Sequence, residues 1–214
     1  MREKICSLLT ALCSALAVLT GSIAVPLLVR PFYHIHVDML RLAERTGLSR
    51  ELILECYDDV MDYCLGLRPD FAAGVVPFSP SGAAHFADVR FLFLLDLALL
   101  AGSLLALLGL WLWRRRAGFS CFRPAGRGPG FWGACALGLT GLVTAALAAA
   151  DFDRAFTVFH HLFFPGKSNW IFDYRTDPVI LLLPEVFFRN CAILILACAL
   201  LGCAVLLWTG RKKR

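Results

Sequence analysis

Charge is what this sequence has least of. Only 17% of its 214 residues are Asp, Glu, Lys or Arg, while 59% are hydrophobic, against about a quarter charged in an ordinary soluble domain. That shortage argues against a water-soluble globular fold. Motifs are missing as well. There is no Cys-x-x-Cys, which sets aside a thiol oxidoreductase. There is no Gly-x-Ser-x-Gly, the strained elbow that exposes a hydrolase serine. His-x-x-x-His and His-Glu-x-x-His are absent too, so the usual helical zinc signatures are not there. No internal repeat is present.

Cysteine is not scarce, with nine residues, but they form no framework. Cys6, Cys13, Cys135, Cys191, Cys198 and Cys203 lie in apolar runs and Cys121 in a basic loop. Only Cys56 and Cys64 fall in a polar segment. Eight residues along one helix separate them by about 12 Å, beyond disulfide reach. They read as small packing residues.

What is present in excess is long apolar runs, at residues 5–29, 89–113, 131–150 and 186–208. Each reaches the ~20 residues that cross about 30 Å of hydrocarbon. The first follows a basic start, "MREK", yet exceeds the usual length of a cleaved signal core and is expected to be a retained helix. The expected class is an all-α integral membrane protein, with four transmembrane helices and a mainly helical extracytoplasmic head. Its organisation is 1–29 (first helix), 30–88 (head), 89–113 (second helix), 114–130 (basic loop), 131–150 (third helix), 151–185 (second head segment), 186–208 (fourth helix) and 209–214 (basic tail).

The few charges set the orientation. Arg2, Lys4, "RRRAGFSCFRPAGRGPG" and the tail place eleven cations against the single acid Glu3. The other side, with Arg90 and Arg189 counted at the outer span ends, holds ten cations and fourteen acids. Cytoplasmic loops carry the Lys and Arg excess, so both termini and the arginine-rich loop are expected in the cytoplasm. The net charge of +5 is thus an orientation signal and gives no support to nucleic-acid binding, which needs a folded basic face.

Within 30–88, "RTGLSRELILECYDDVMDYCLG" has Ser49 as N-cap and Gly66 as stop. Leu52, Cys56, Val60 and Cys64 form one apolar column and Ile53, Tyr57 and Met61 another, which makes an amphipathic helix. "GLRPDFAAGVVPFSPSGAAH", with three prolines, is expected to be loop with short extended pieces. The second head segment is expected to stay helical to Phe164 and to break at Pro165-Gly166.

All five histidines, His34, His36, His85, His160 and His161, fall in the head segments. His85 lies just before the second span and His160 about ten residues after the third. Phe163, Phe164, Trp170 and Phe172 mark the same depth as an aromatic belt would. Two histidines at one depth, on separate segments, are candidates for a shared site at the water–lipid boundary, where ester carbonyls are within reach. Ser79 and Ser81 near His85 allow a serine route only weakly. His34-x-His36 would share one side of a strand and, with His160-His161, admits a metal-site reading. Acid–base work by two histidines without a protein nucleophile is the third reading. A non-catalytic sensor or scaffold is a further alternative. Asp96, inside the second span, is expected to pair with Arg189.

The chain resembles the Lit family, the lipoprotein intramolecular transacylases of Gram-positive bacteria. "HFADVRFL", from His85, is similar to the family's His-x-x-Asp-Val run. "DFDRAFTVFHHLFFPGKSNWIFDYRTDPVILLLPEVFF" is similar to its Phe-His, Trp, Asp and Pro-Glu-x-Phe-Phe succession. The resemblance implies transfer of the sn-2 acyl chain of a diacylglyceryl-cysteine lipoprotein onto the α-amino group of that same cysteine. It implies His85 and His160 as the catalytic residues, with Asp88, Trp170, Asp173, Asp177 and Glu185 supporting the substrate site. Diacylated lipoproteins and membrane lipid are the implied partners, in a bacterial cell membrane with the active site at the outer leaflet, and no cofactor or metal is called for.

Overall fold

In a computed structural model the described residues, 1–211, are helical with no strand among them. The remainder of the basic tail, Lys212 to Arg214, lies outside the described residues. The helices are α1 (Arg2–Leu28), α2 (Pro31–Met39), α3 (Leu42–Thr46), α4 (Arg50–Cys64), α5 (Pro80–Ala117), α6 (Pro129–Ala150), α7 (Phe152–Phe163), α8 (Val179–Leu182) and α9 (Glu185–Thr209). Four of them, α1, α5, α6 and α9, are long and apolar enough to cross a membrane. The chain divides into two compact units. One comprises Met1–Val25, Asp96–Ala150 and Ile193–Arg214, the other Pro26–Leu95 and Asp151–Ala192.

The first unit inverts the pattern of a soluble protein. Leu105, Leu139, Leu147 and Leu201 are each more than two-thirds exposed, as lipid-facing side chains must be. Hydroxyls inside α1 turn back onto their own helix, Thr10 to the Cys6 carbonyl at 2.7 Å and Ser22 to that of Val18 at 2.6 Å, because hydrocarbon offers them no water. Ser7 Oγ donates to the Phe122 carbonyl at 2.6 Å, tying the loop after α5 to the start of α1. Asp96 Oδ2 is buried without a hydrogen-bond partner among the described residues.

The second unit has a core of its own. Tyr33 and Tyr57 stack with ring centroids 3.7 Å apart, and Phe187 meets Tyr33 edge-on at 5.2 Å. Tyr33 donates its hydroxyl to the Leu182 carbonyl at 2.8 Å, so a fully buried phenol keeps a partner. That bond is worth about 1 kcal/mol net. Helix α4 follows its sequence pattern. Ser49 Oγ accepts from the Leu52 amide, Gly66 follows the helix at φ +78°, and Ile53, Cys56, Tyr57, Val60 and Cys64 are buried. Its acidic face is neutralised from within the unit, since Arg30 reaches Asp58 and Asp62 and Arg68 reaches Asp59.

Three local expectations are corrected. Helix α5 begins at Pro80, so the last residues of the proline-rich stretch, up to His85, are helix and not loop. Proline at the first helical position loses no intrahelical bond and brings a suitable φ. Ser79 caps the end, its Oγ accepting from the Gly82 amide at 3.0 Å. Helix α7 does not continue α6. Asp151 breaks the run with extended backbone, φ −157°, and caps a new helix by accepting from the Arg154 amide at 2.9 Å. His34 and His36 lie on α2 and not on a strand, so two-residue spacing sends their side chains to different sides.

Candidate active site

Helix α5 has 38 residues, roughly 57 Å at 1.5 Å per residue, against about 30 Å of hydrocarbon. Its first turns therefore lie outside the apolar span, and they carry His85 and Asp88. The helix start is fixed by Asp177, whose Oδ1 accepts from the Ser79 amide at 2.8 Å and whose Oδ2 accepts from the Thr176 hydroxyl at 2.8 Å. Burial works against that charge, but the Ser79 and Thr176 hydrogen bonds outweigh it and hold the carboxyl below its usual range. Only glycine fits at position 82. A Cβ there would run into the Asp177 carboxylate and come within 3.2 Å of Phe172.

Helix α7 delivers His160 to the same place. The ring centroids of His85 and His160 are 5.9 Å apart and their planes differ by 30°, inside the ~10 Å reach of two side chains serving one ester. Each residue is only 6% exposed. Phe164 and Phe172 wall His85 at 5.0 and 5.4 Å. Phe156 lies 4.2 Å from His160 on one side, and Trp170 stacks on it at 4.6 Å. His161 meets Trp170 edge-on at 5.6 Å.

These surroundings keep both imidazoles neutral. Burial, then the neighbouring His160, push the pKa of His85 down to about 4, with Asp88 offsetting part of the shift and Lys167 adding to it. Burial also lowers His160, opposed by its bond to the Phe156 carbonyl and aided by His161. The geometry goes further for His160. Its Nδ1 lies 2.7 Å from the Phe156 carbonyl oxygen, and a carbonyl only accepts. Nδ1 therefore carries the proton, leaving Nε2 as the free base. In His85 it is Nδ1 that is buried without a partner among the described residues.

Asp88, three residues beyond His85, faces the segment after α7. Lys167 Nζ donates to its Oδ1 at 2.6 Å and Asn169 Nδ2 to its Oδ2 at 3.2 Å. These two bonds overcome the effect of burial and hold the Asp88 carboxyl below its usual range. The structure thus brings Asp88 and Trp170 to the histidine pair, while Asp177 holds the start of the helix that carries His85. Asp173 and Glu185 make their contacts elsewhere. Asp173 builds the turn before Asp177, accepting from the Arg175 amide at 2.9 Å, and Glu185 lies exposed in the first turn of α9, beside Asp153. Sequence reasoning passed over Lys167, Asn169 and Gly82. The first two carry no motif, and only the fold sets them against Asp88. The Ser-Pro-x-Gly spacing of a capped helix start was the available signal for the third.

The four apolar helices and the histidine-bearing head define a multi-pass integral membrane protein. Residues 8–188 match the family model described as lipoprotein intramolecular transacylase Lit, and the chain belongs to that family of membrane enzymes. The fold agrees. The structure of the membrane-integral lipoprotein intramolecular transacylase Lit from Bacillus cereus is similar at a TM-score of 0.83 and 21% identity, over 96% of this chain and 92% of that one. Two variants of the same Bacillus cereus protein, with a histidine replaced by arginine or by alanine, each match at a TM-score of 0.79 and 19% identity over 96% of this chain, covering 88% and 90% of theirs. No curated protein sequence matches the chain.

Proposed function

We propose that this transacylase moves the sn-2 acyl chain of a diacylglyceryl-cysteine lipoprotein onto the α-amino group of the same cysteine, using His85 and His160 as its acid–base pair. The observation that carries this reading is the pair itself: two buried, neutral imidazoles 5.9 Å apart, each with a ring nitrogen that finds no hydrogen-bond partner among the described residues. The substrate supplies its own nucleophile, so no protein serine or thiol is required. Ser79 is occupied as a helix cap.

The α-amine ionises near 8 and attacks the ester in its neutral form. As the C–N bond forms, His160 Nε2 takes the proton that the nitrogen sheds, and the C–O bond to the glycerol sn-2 oxygen breaks. The proton returns from the His160 imidazolium to the departing oxygen, while His85 offers the ester a hydrogen bond. Holding amine and ester together supplies much of the barrier reduction. The reaction needs no cofactor. The diacylated lipoprotein and the surrounding lipid are the partners.

The charge distribution supports termini in the cytoplasm and a site at the outer leaflet of a bacterial membrane. Mass spectrometry of a synthetic diacylated lipopeptide incubated with the purified protein tests the chemistry. An N-acyl, S-monoacylglyceryl product is expected, with none from a lipopeptide whose α-amine is blocked. Free fatty acid as the main product, or an acylated enzyme peptide, would overturn the reading.

A further inference from the structure

Both histidines are closed off, at 6% exposure each, although a diacylglyceryl ester is bulky. What lies over His160 is Trp170, carried by residues 165–170, a stretch without helix. Trp170 Nε1 donates to the Lys167 carbonyl at 3.1 Å, so residues 167–170 hold together as one turn. At the other end Pro165 ends the reach of α7 and Gly166 has φ +74°, a bend that glycine adopts without strain. The side-chain tie to α5 is a single carboxylate. Lys167 and Asn169 share Asp88, one oxygen each. A carboxylate only accepts, so the Asn169 amide must turn its NH2 towards Asp88. That leaves its Oδ1 buried without a donor, a cost that weakens the closed contact.

We propose that Lys167 and Asn169 are positioning residues: by fastening residues 165–170 to Asp88 they hold Trp170 over His160, and this cover lifts at the Pro165–Gly166 bend to admit the acyl ester and closes for transfer. The inference rests on His160 acting at the ester. Its chemical purpose is the exclusion of water. With the cover shut, the amine of the same substrate is the available nucleophile. With it loose, water attacks the ester carbonyl, the sn-2 C–O bond breaks, and the products are a free fatty acid and the lyso-glyceryl lipopeptide.

The test compares the full-length protein in lipid with the Lys167→Ala/Asn169→Ala double variant and with Lys167→Arg. Carbethoxylation of histidines by diethylpyrocarbonate, read by peptide mass spectrometry, should proceed at least about fivefold faster at His160 in the double variant, as a local opening exposes it. His36, which is 4% exposed and packed on Phe32 and Phe187, should stay protected, separating an opened cover from general loosening. With diacylated lipopeptide, the ratio of free fatty acid to N-acyl product should rise about tenfold in the double variant as water gains access, while Lys167→Arg behaves as the parent. Equal modification of His160 in parent and double variant, or an unchanged product ratio, would overturn the proposal. Should the double variant fail to fold, Lys167→Gln alone carries the same two readouts. A parent protein that makes no N-acyl product would instead end the transacylase reading, and the His160 modification rates would still decide whether the cover exists.

Discussion

Helices α2 and α7 contain the same device, and the protein completes it in one and leaves it open in the other. Phe32 and His36, like Phe156 and His160, stand four residues apart with rings 4.4 and 4.2 Å from each other. In each pair the histidine Nδ1 lies 2.7 Å from the phenylalanine carbonyl, so both rings are the same neutral tautomer with Nε2 free to accept. In the first, Asn190 Nδ2 donates to that Nε2 at 2.9 Å, and Phe187 closes the corner. His36 is a core histidine with every polar atom satisfied. In the second no side chain among the described residues donates to His160 Nε2, and what stands opposite is another imidazole. A buried polar atom left unpaired is costly; in this pair that atom is Nδ1 of His85, across from His160, so a ligand's polar atoms are expected there and not at His36.

The strongest way to break this comparison is to exchange glutamine for each histidine. His85→Gln or His160→Gln should cost at least the ~10²-fold typical of a lost general acid or base, with the amount of folded protein unchanged. His36→Gln should do the reverse, lowering stability by about 1–3 kcal/mol through unpaired groups in the core while turnover per folded molecule stays near that of the parent. Lipopeptide acylation and thermal unfolding on the same preparations provide both numbers. Loss of turnover with His36→Gln alone would erase the distinction.

A smaller effect sharpens it through pH. Burial and His160 hold His85 near 4, so His85 gains no proton as pH falls through the ordinary imidazole range, and burial moves His160 in the same direction. The substrate amine does gain one. Acylation rate should therefore fall about tenfold per unit below ~8, tracking the amine. A profile that stays flat to about 6.5 and turns down only there would mean that a site imidazole titrates at its ordinary value, and that the pair is wetter than its burial implies.

The smallest expected change separates a cap from a nucleophile. Ser79→Ala removes the acceptor of the Gly82 amide and should cost about 1 kcal/mol of stability, read by thermal unfolding, with most acylation retained. An acyl group recovered on Ser79 of the parent protein would contradict that assignment.

Much of the molecule was written in local pattern. The four spans follow from run length, and α4 from its apolar columns and the Ser49 cap, because helix periodicity and bilayer thickness act on consecutive residues. The candidate site was legible only as depth, with His85 and His160 placed near one level by their distance from the spans. Prolines misled where they began a helix instead of breaking one, at Pro80. By itself the sequence determined a four-span helical membrane protein with its histidines outside the four apolar runs. Tertiary structure alone decided that His160 faces His85 while His36 faces Asn190, and that Asp88 holds Lys167 and Asn169. These partners are 75, 154, 79 and 81 residues apart in sequence, and contacts over such separations arise from packing, which no local pattern encodes.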